Sequence, residues 1–326
     1  MRGNSTSILY MGYGSAGCDG LEALLKEGIE VCGVFCRTSD RQIQRGRPSV
    51  FTLAHRLGLH CFDEANPNDP SFVAKIRALA PDFIVSFQYD RILKSPLLEV
   101  PRIASVNLHY SPLPRLRGCF PTKWAIINDE PSGVTLHYIN PGIDAGDIID
   151  QTIVALSAQE TDQSLYAKLE SAAKTLFWKY VPALARRKLP PGTAQDEAHA
   201  SYHPKKIPFD GIIDWSREAP FVERFIRAFT FPPHPAAKTW CQGVEIQLRA
   251  PVLADATHST LAPGEFTMET PGQLRIGCGA GSIVVSRVLG EGQERSPVEF
   301  QKRFGDKGRF AQDGIRLDVK LNFEKA

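Results

Sequence analysis

Three side chains with complementary proton chemistry stand out between residues 105 and 150. Asn107 and His109 are two residues apart in the apolar segment IASVNLH, so in a strand both would project from one face. Asp144 follows the next strand-like segment, GVTLHYI. An amide, an imidazole and a carboxylate that converge suit acyl transfer between nitrogens, because the attacking amine must lose a proton and the tetrahedral intermediate carries an oxyanion.

Each of the three residues has a role in such a transfer. Asn107 and His109 would donate hydrogen bonds to the oxyanion, while Asp144 would hold the imidazole protonated and accept or relay the amine proton. None of these roles requires a metal. Taken separately, the same residues could be a hydrogen-bonded strand-end amide, a satisfied histidine and a loop aspartate, so the hypothesis depends on their being brought together.

The elements that would bring them together belong to an α/β sheet. From Ile8 to about Val154, short β-branched runs alternate with helical patterns, which is typical of a parallel sheet covered on both faces. We expect helix 121–128 to be a right-handed crossover between strands 103–109 and 133–139. The second strand would then run parallel to the first and end at the same edge, next to the aspartate.

The turn MGYGSAG near the amino terminus allows two interpretations. Gly12, Gly14 and Gly17 form a G-x-G-x-x-G pattern between a strand and a helix, as in dinucleotide-binding domains. Arg37 followed by Asp40 after the second strand fits NADP better than NAD, so an NADP-dependent oxidoreductase is one alternative. We favour the other interpretation, a tight turn with close helix packing, because a lone glycine pattern is a weak signal.

The pattern changes in the second half of the chain. A long amphipathic helix from Ser164 to about Arg186 is followed by a connection rich in proline, and then by one helix and short alternating runs separated by turns. This predicts a mainly β, OB-like barrel with an attached helix. We therefore expect a Rossmann-like parallel-sheet domain over residues 1–203 and a small C-terminal barrel-like domain over residues 204–326.

Composition and charge exclude several classes of protein. The 326 residues contain 43% hydrophobic and 23% charged residues, without an apolar segment of the roughly 18 residues that a membrane span needs. The amino terminus lacks the apolar core of an export signal, so we expect a cytoplasmic protein. The 38 basic and 36 acidic residues argue against a nucleic-acid partner bound mainly through phosphates. Seven cysteines without a CxxC pair argue against a disulfide framework and against a zinc site.

The segments NLHYSPLPRLRG and GVTLHYINPGIDAGDII resemble the signature of the 10-formyltetrahydrofolate-dependent formyltransferases. The resemblance implies that Asn107, His109 and Asp144 are catalytic, that 10-formyltetrahydrofolate is the co-substrate, and that the glycine turn holds no nicotinamide dinucleotide. In this family the folate lies against the loop after the fourth strand, which is SFQYDRIL here. The implied candidates for folate contact are Phe87, Tyr89, Arg91, Ile92, Leu93 and, in the later loop GIDAGDI, Asp147.

The amine acceptor is less constrained. The segments ILYMGYGSAGCDGLEALLKEGIEVCGVF and SVFTLAHRLGL resemble the formyltransferase domain of the UDP-4-amino-4-deoxy-L-arabinose enzyme and its sugar-nucleotide relatives. This implies a nucleotide-linked amino sugar, formylated at a 4-amino group, as in surface-polysaccharide synthesis. Arg115, Arg117 and Lys123 are then candidates to meet the diphosphate or orient the substrate.

Other acceptors remain open. The segments HPKKIPFDGIIDWS and FIRAFTFPP also resemble methionyl-tRNA formyltransferases, and the basic stretch RQIQRGR at 41–47 could contact tRNA. A small amino acid such as hydroxyornithine is a further alternative. The C-terminal domain could serve as a tRNA platform, a second ligand site or the interface of a homodimer.

Overall fold

The computed structural model of the protein describes residues 5–36, 48–62, 66–89, 91–257, 259–270, 273–290 and 293–311. Backbone contacts group the chain into two compact units. The first unit comprises Met1–Pro121, Pro131–Ala155 and Tyr166–Lys205. The second unit comprises Thr122–Glu130, Leu156–Leu165 and Lys206–Ala326, so two short segments that precede residue 203 group with the later residues.

The first unit is built on a six-stranded sheet. Its strands, with a short separate pair, are β1 (Ser7–Gly12), β2 (Glu30–Cys36), β3 (Phe83–Phe87), β4 (Ala104–His109), β5 (Arg117–Gly118), β6 (Ser132–Tyr138), β7 (Ile148–Val154) and β8 (Tyr202–His203). The sheet has the order β2-β1-β3-β4-β6-β7, and β5 pairs with β8. Strands β2, β1, β3 and β4 are mutually parallel, which confirms the parallel α/β sheet expected from the alternating pattern.

Helices alternate with these strands. The helices up to residue 185 are α1 (Gly14–Lys26), α2 (Val50–Arg56), α3 (Pro70–Leu79), α4 (Ser95–Leu98), α5 (Pro121–Asn128) and α6 (Asp162–Ala185). The Ser49 hydroxyl and the Asp69 carboxylate cap α2 and α3 by accepting hydrogen bonds from the N–H groups of Thr52 and Ser71. Within the described residues, no helix is long and apolar enough to cross a membrane.

The predicted direction of β6 is wrong. β6 pairs with β4 in antiparallel orientation, with Asn107 opposite His137, and β7 continues the sheet antiparallel to β6. The eight-residue α5 groups with the second compact unit and not with the unit that holds the sheet. The chain instead re-enters the sheet beside β4, whose last residue, His109, pairs with Thr135 in the middle of β6.

The glycine turn after β1 is filled by a side chain of the protein itself. The buried Tyr10 hydroxyl donates a hydrogen bond to the Gly17 carbonyl at 2.6 Å. A Cβ atom at Gly12 would lie 2.5 Å from the Tyr10 ring, and one at Gly17 would lie 2.8 Å from Val50. These two glycines therefore permit close packing of α1 on the sheet, as in the interpretation that we favour from the sequence.

The second unit is mainly antiparallel β, as predicted. Its elements are α7 (Ala219–Ala228), β9 (Ala237–Cys241), β10 (Val244–Leu248), β11 (Val252–Asp255), β12 (Glu265–Thr270), β13 (Gln273–Gly277), β14 (Ser282–Val285), β15 (Val288–Gly290), β16 (Gln293–Arg295), α8 (Pro297–Phe304) and β17 (Lys307–Ala311). The nine strands have the order β11-β14-β13-β12-β17-β9-β10-β15-β16. Phe266, Phe300 and Phe310 contact one another at its core.

A buried carboxylate at the start of β3 joins distant parts of the first unit. Asp82, 3% exposed, accepts hydrogen bonds from the Ser7 N–H and from Arg187, both at 2.9 Å, and pairs with Arg102 at 2.8 Å. Burial alone would raise the pKa of Asp82, but these donors outweigh burial and lower it below its ordinary value. The ionised carboxylate therefore stabilises the folded state.

We expect Asp82→Asn to lower the free energy of unfolding at pH 7 by about 2–3 kcal/mol, because charge-assisted hydrogen bonds are lost. Since the folded-state pKa is depressed, this contribution is present above the unfolded pKa of about 4 and is lost as the pH falls through the folded value. Urea titrations between pH 3 and 7 measure both effects. Arg102→Ala is the control and should cost less, because Arg102 is 52% exposed. An unchanged acid dependence in Asp82→Asn would contradict this account.

Candidate functional site

Two neighbouring strands place three polar side chains on one face of the sheet. Asn107 and His109 alternate with the buried Leu108 along β4, and His137 lies directly opposite Asn107 on β6. The His109 and His137 ring centroids are 6.5 Å apart. The antiparallel pairing thus adds a second histidine to the cluster expected from the sequence.

The loop between β6 and β7 supplies the carboxylate. Asp144 has φ 51°, in the left-handed region, and its Oδ2 accepts a hydrogen bond from the Gly118 N–H at 2.9 Å. Its Oδ1 lies 3.7 Å from His109 Nδ1 and 3.8 Å from His137 Nε2. The loop folds tightly back on the strand, because a Cβ atom at Gly146 would lie 1.9 Å from the Tyr138 carbonyl oxygen. Asp144 is therefore positioned by a return loop rather than by a parallel strand end.

Both nitrogens of the His109 ring face acceptors. Nε2 lies 3.2 Å from the Leu116 carbonyl oxygen, and a carbonyl only accepts, so Nε2 carries a proton. Nδ1 faces the Asp144 carboxylate. The ring therefore lies between a backbone carbonyl on one side and a carboxylate on the other.

His137 has a different environment. Its side chain is 2% exposed, and its Nδ1 lies 2.8 Å from the Tyr138 carbonyl oxygen. Burial lowers the pKa of His137 to about 4, with the nearby Asp144 charge opposing burial and the His109 and Arg117 charges reinforcing it. His137 is therefore neutral at neutral pH, so its approach to Asp144 is not an ion pair.

The Asn107 amide retains hydrogen-bonding capacity for a substrate. Its Nδ2 lies 3.1 Å from His137 Nε2, and His137 is its hydrogen-bond partner among the residues that the structure describes. One N–H of the amide remains for a substrate, and the residue is only half-buried. This N–H is a donor that could meet a developing oxyanion.

A buried arginine and a glutamine fasten the Asp144 loop. Gln195 Nε2 donates to the carbonyl oxygens of Asp144 at 2.8 Å and Gly146 at 2.7 Å. Arg117 donates to Gln195 Oε1 through Nε at 3.1 Å and through a terminal nitrogen at 2.7 Å, and it also pairs with Glu197 at 2.7 Å. Arg117 is 8% exposed. Its charge is thus matched within the chain, and its contact with substrate stays a prediction.

The other two basic candidates for substrate contact, Lys123 and Arg115, have different surroundings. Lys123 Nζ lies 2.6 Å from Asp162 Oδ2 and donates to the Ala228 carbonyl oxygen at 2.9 Å, so its charge is also matched. Arg115 is exposed. The stretch 41–47, together with Arg37 and Asp40, lies outside the described residues.

The predicted folate loop is divided between core and surface. Phe87 is buried and contacts Phe177 edge to face at 5.2 Å. Leu93 is 6% exposed and belongs to a hydrophobic cluster that includes Met11, Phe35 and Phe72, so both side chains belong to the core. Any contact that these two residues make with folate would come from their backbone. Tyr89 is half-buried against the same cluster, and Arg91 and Ile92 are exposed. The side chain of Asp147, on the return loop, is also exposed.

Two residues of the site were not singled out by the sequence analysis. His137 lies within the quoted segment GVTLHYI, and it becomes significant only once β6 is known to be antiparallel to β4. Gln195 is 51 residues from Asp144 in the chain, and no local pattern connects the two. In the described ranges, no group of three or more His, Cys, Asp or Glu residues is arranged to hold a metal ion.

Comparison with known families identifies the family of the chain. The sequence model of the family described as formyl transferase matches residues 7–181, which is more than half of the chain. The chain belongs to the formyl transferase family. The model of the formyl transferase C-terminal domain matches residues 207–304, in the mainly β second unit of this formyl transferase.

Solved structures share the fold at low sequence identity. An N-formyltransferase from Helicobacter canadensis, in complex with folinic acid and dTDP-3-aminofucose, is 22% identical with a TM-score of 0.68, over 86% of this chain and 99% of its own. WlaRD, a sugar 3N-formyl transferase, is 21% identical with a TM-score of 0.69, over 87% and 98%. A 4-N formyltransferase from Francisella tularensis is 20% identical with a TM-score of 0.57, over 72% and 91%. At these identities the likeness establishes the fold alone.

We expect Gln195→Leu to reduce kcat by up to about 10²-fold, because an unfastened loop would misplace the Asp144 carboxylate by a fraction of an ångström or more. Steady-state kinetics of formyl transfer measure this effect. Glu197→Gln is the matched control, since Glu197 is 70% exposed and pairs with Arg117 without touching the loop, and its kcat should stay near that of the unmodified protein. Equal losses in both variants would assign the effect to Arg117 alone.

Proposed function

We propose that this formyl transferase moves a formyl group from 10-formyltetrahydrofolate to the amino group of a nucleotide-linked amino sugar. The observation that carries the proposal is the available amide N–H of Asn107 on the same face as the Asp144 carboxylate and the His109 ring. One donor for an oxyanion and one acceptor for a proton are what transfer between two nitrogens requires.

The chemistry assigns one role to each of the three residues. Attack of the amine on the formyl carbon forms a C–N bond and places negative charge on the formyl oxygen, which the Asn107 N–H stabilises. The Nε2–H of His109 can turn from the Leu116 carbonyl to the oxyanion and donate a second hydrogen bond there. Asp144 accepts the amine proton, and a proton returns to the folate nitrogen as the C–N bond to folate breaks.

The nature of the acceptor is supported by solved relatives. The Helicobacter canadensis protein is in complex with dTDP-3-aminofucose and folinic acid, and WlaRD was crystallised with dTDP and 5-N-formyl-tetrahydrofolate. WlaRD is a sugar 3N-formyl transferase, whereas the Francisella tularensis protein is a 4-N formyltransferase. For this chain we propose the 4-amino position, on the sequence resemblance to the amino-arabinose enzyme.

Exposed side chains are the candidates for binding the two substrates. We propose Tyr89, Arg91, Ile92 and Asp147 for contacts with folate, because their side chains are at least partly open to solvent. The Arg115 side chain is exposed, and we propose that it meets the diphosphate.

A mass-spectrometric assay with 10-formyltetrahydrofolate tests the proposal. The panel contains matched 3-amino and 4-amino sugars on dTDP, UDP and GDP, together with methionyl-tRNA and hydroxyornithine. We expect one formyl mass to be added to a 4-amino sugar nucleotide. Formylation of a 3-amino sugar alone would overturn the position, and formylation of tRNA or hydroxyornithine alone would overturn the acceptor class.

Substitution of the three proposed catalytic residues tests the mechanism. We expect Asn107→Ala, His109→Ala and Asp144→Ala each to lower kcat by orders of magnitude while folate affinity stays within about tenfold, because these side chains act mainly in the transition state. Single-turnover kinetics and equilibrium folate titration measure the two quantities. A variant with near-normal kcat would remove that residue from the mechanism.

A further inference from the structure

A buried histidine lies beside the proposed oxyanion donor and has no part in the transfer described above. His137 and Asn107 are opposite each other in the antiparallel pair of β6 and β4, and their side chains meet at 3.1 Å. The His137 side chain is 2% exposed, so it is covered by the protein on nearly all sides. Its position suggests an effect on the orientation of the amide.

The hydrogen-bond partners of His137 determine which atom faces the amide. Nδ1 lies 2.8 Å from the Tyr138 carbonyl oxygen, and a carbonyl has no proton to give, so the ring proton is on Nδ1. In the neutral ring Nε2 is then an acceptor only. The Asn107 atom that faces Nε2 must therefore be the amide nitrogen, and the second N–H of that nitrogen is left for the substrate.

From this arrangement we propose that His137 is a positioning residue, which holds Asn107 so that an amide N–H, and not the amide oxygen, meets the formyl oxygen. The inference rests on the proposed formyl transfer. A reversed amide would present its oxygen to the developing oxyanion, where two acceptors would repel each other.

The neutral state of His137 is essential to this role. A protonated ring would donate from Nε2 and would favour the Asn107 oxygen as its partner, which reverses the amide. Burial keeps the pKa of His137 at about 4, and the His109 and Arg117 charges act in the same direction, although Asp144 opposes them. His137 Nε2 therefore stays an acceptor over the whole pH range in which an amine substrate can be tested.

Kinetics of two His137 variants test the role. His137→Leu removes the acceptor, and we expect kcat to fall by about 10²–10³-fold, the usual effect of one lost oxyanion donor, with little change in KM. His137→Gln can place its side-chain oxygen where Nε2 lies, so it should recover most of the activity. Asp82→Asn is the control for lost stability, because its substitution is at the start of β3 and should leave kcat unchanged.

A double-mutant cycle separates this role from a general structural one. If His137 acts through Asn107, then His137→Leu should cause no further loss of kcat in an Asn107→Ala background. An equal loss of kcat in both backgrounds, or a failure of His137→Gln to exceed His137→Leu while both remain folded, would overturn the proposal.

Nitrogen NMR of the histidine rings supplies a readout that does not need activity. The spectrum of His137, assigned by its absence from the His137→Leu protein, should show a protonated Nδ1 and an unprotonated Nε2 from pH 5 to 8. A protonated Nε2 at pH 7 would overturn the proposal even in an active enzyme. If the unmodified protein formylates no acceptor, the proposed function fails, and this spectrum still decides the orientation of the amide.

Discussion

The antiparallel pairing of β4 with β6 is the constraint on which the site depends. It places Asn107 opposite His137 and His109 opposite Thr135, so that two histidines and an amide share one face of the sheet. After Tyr138 the chain reverses into β7, which is antiparallel to β6, and the return loop carries Asp144 to both rings. With a parallel β6, Asn107 would have a different neighbour, and the carboxylate would need another route to the site.

Much of the first unit and part of the candidate site could be predicted from the sequence. Strand and helix boundaries follow from local patterns, and the two-residue spacing of Asn107 and His109 fixes their common face, because side chains alternate along a strand. The direction of β6 could not be obtained in this way. The local sequence pattern of a short helix such as α5 does not tell which compact unit the helix will join. That depends on contacts with residues far along the chain.

The residues whose surroundings could not be predicted from the sequence share one physical property, namely that their hydrogen-bond partners lie far away in the chain. Arg117 and Lys123 are residue types that often bind phosphate. In the structure, however, Arg117 donates hydrogen bonds to Gln195 and Glu197, and Lys123 pairs with Asp162. His137 and Gln195 have no local signal at all. Buried polar residues of this kind are recognised only from the atoms that they face, since burial requires each donor and acceptor to find a partner.

The connection from Gln195 to the Asp144 loop has a consequence for the modular use of this fold. The match to the formyl transferase model ends at residue 181, whereas Gln195, which holds the Asp144 loop, lies beyond it, and β8 pairs with β5 as far as His203. In a chimaera joined at residue 182, the six-stranded sheet would come from this protein, but Gln195 and β8 would be replaced by residues of the other protein. A chimaera joined after residue 205 would keep both. The segment that must be transferred together to keep the Asp144 loop in place is therefore longer than residues 7–181, which match the formyl transferase model.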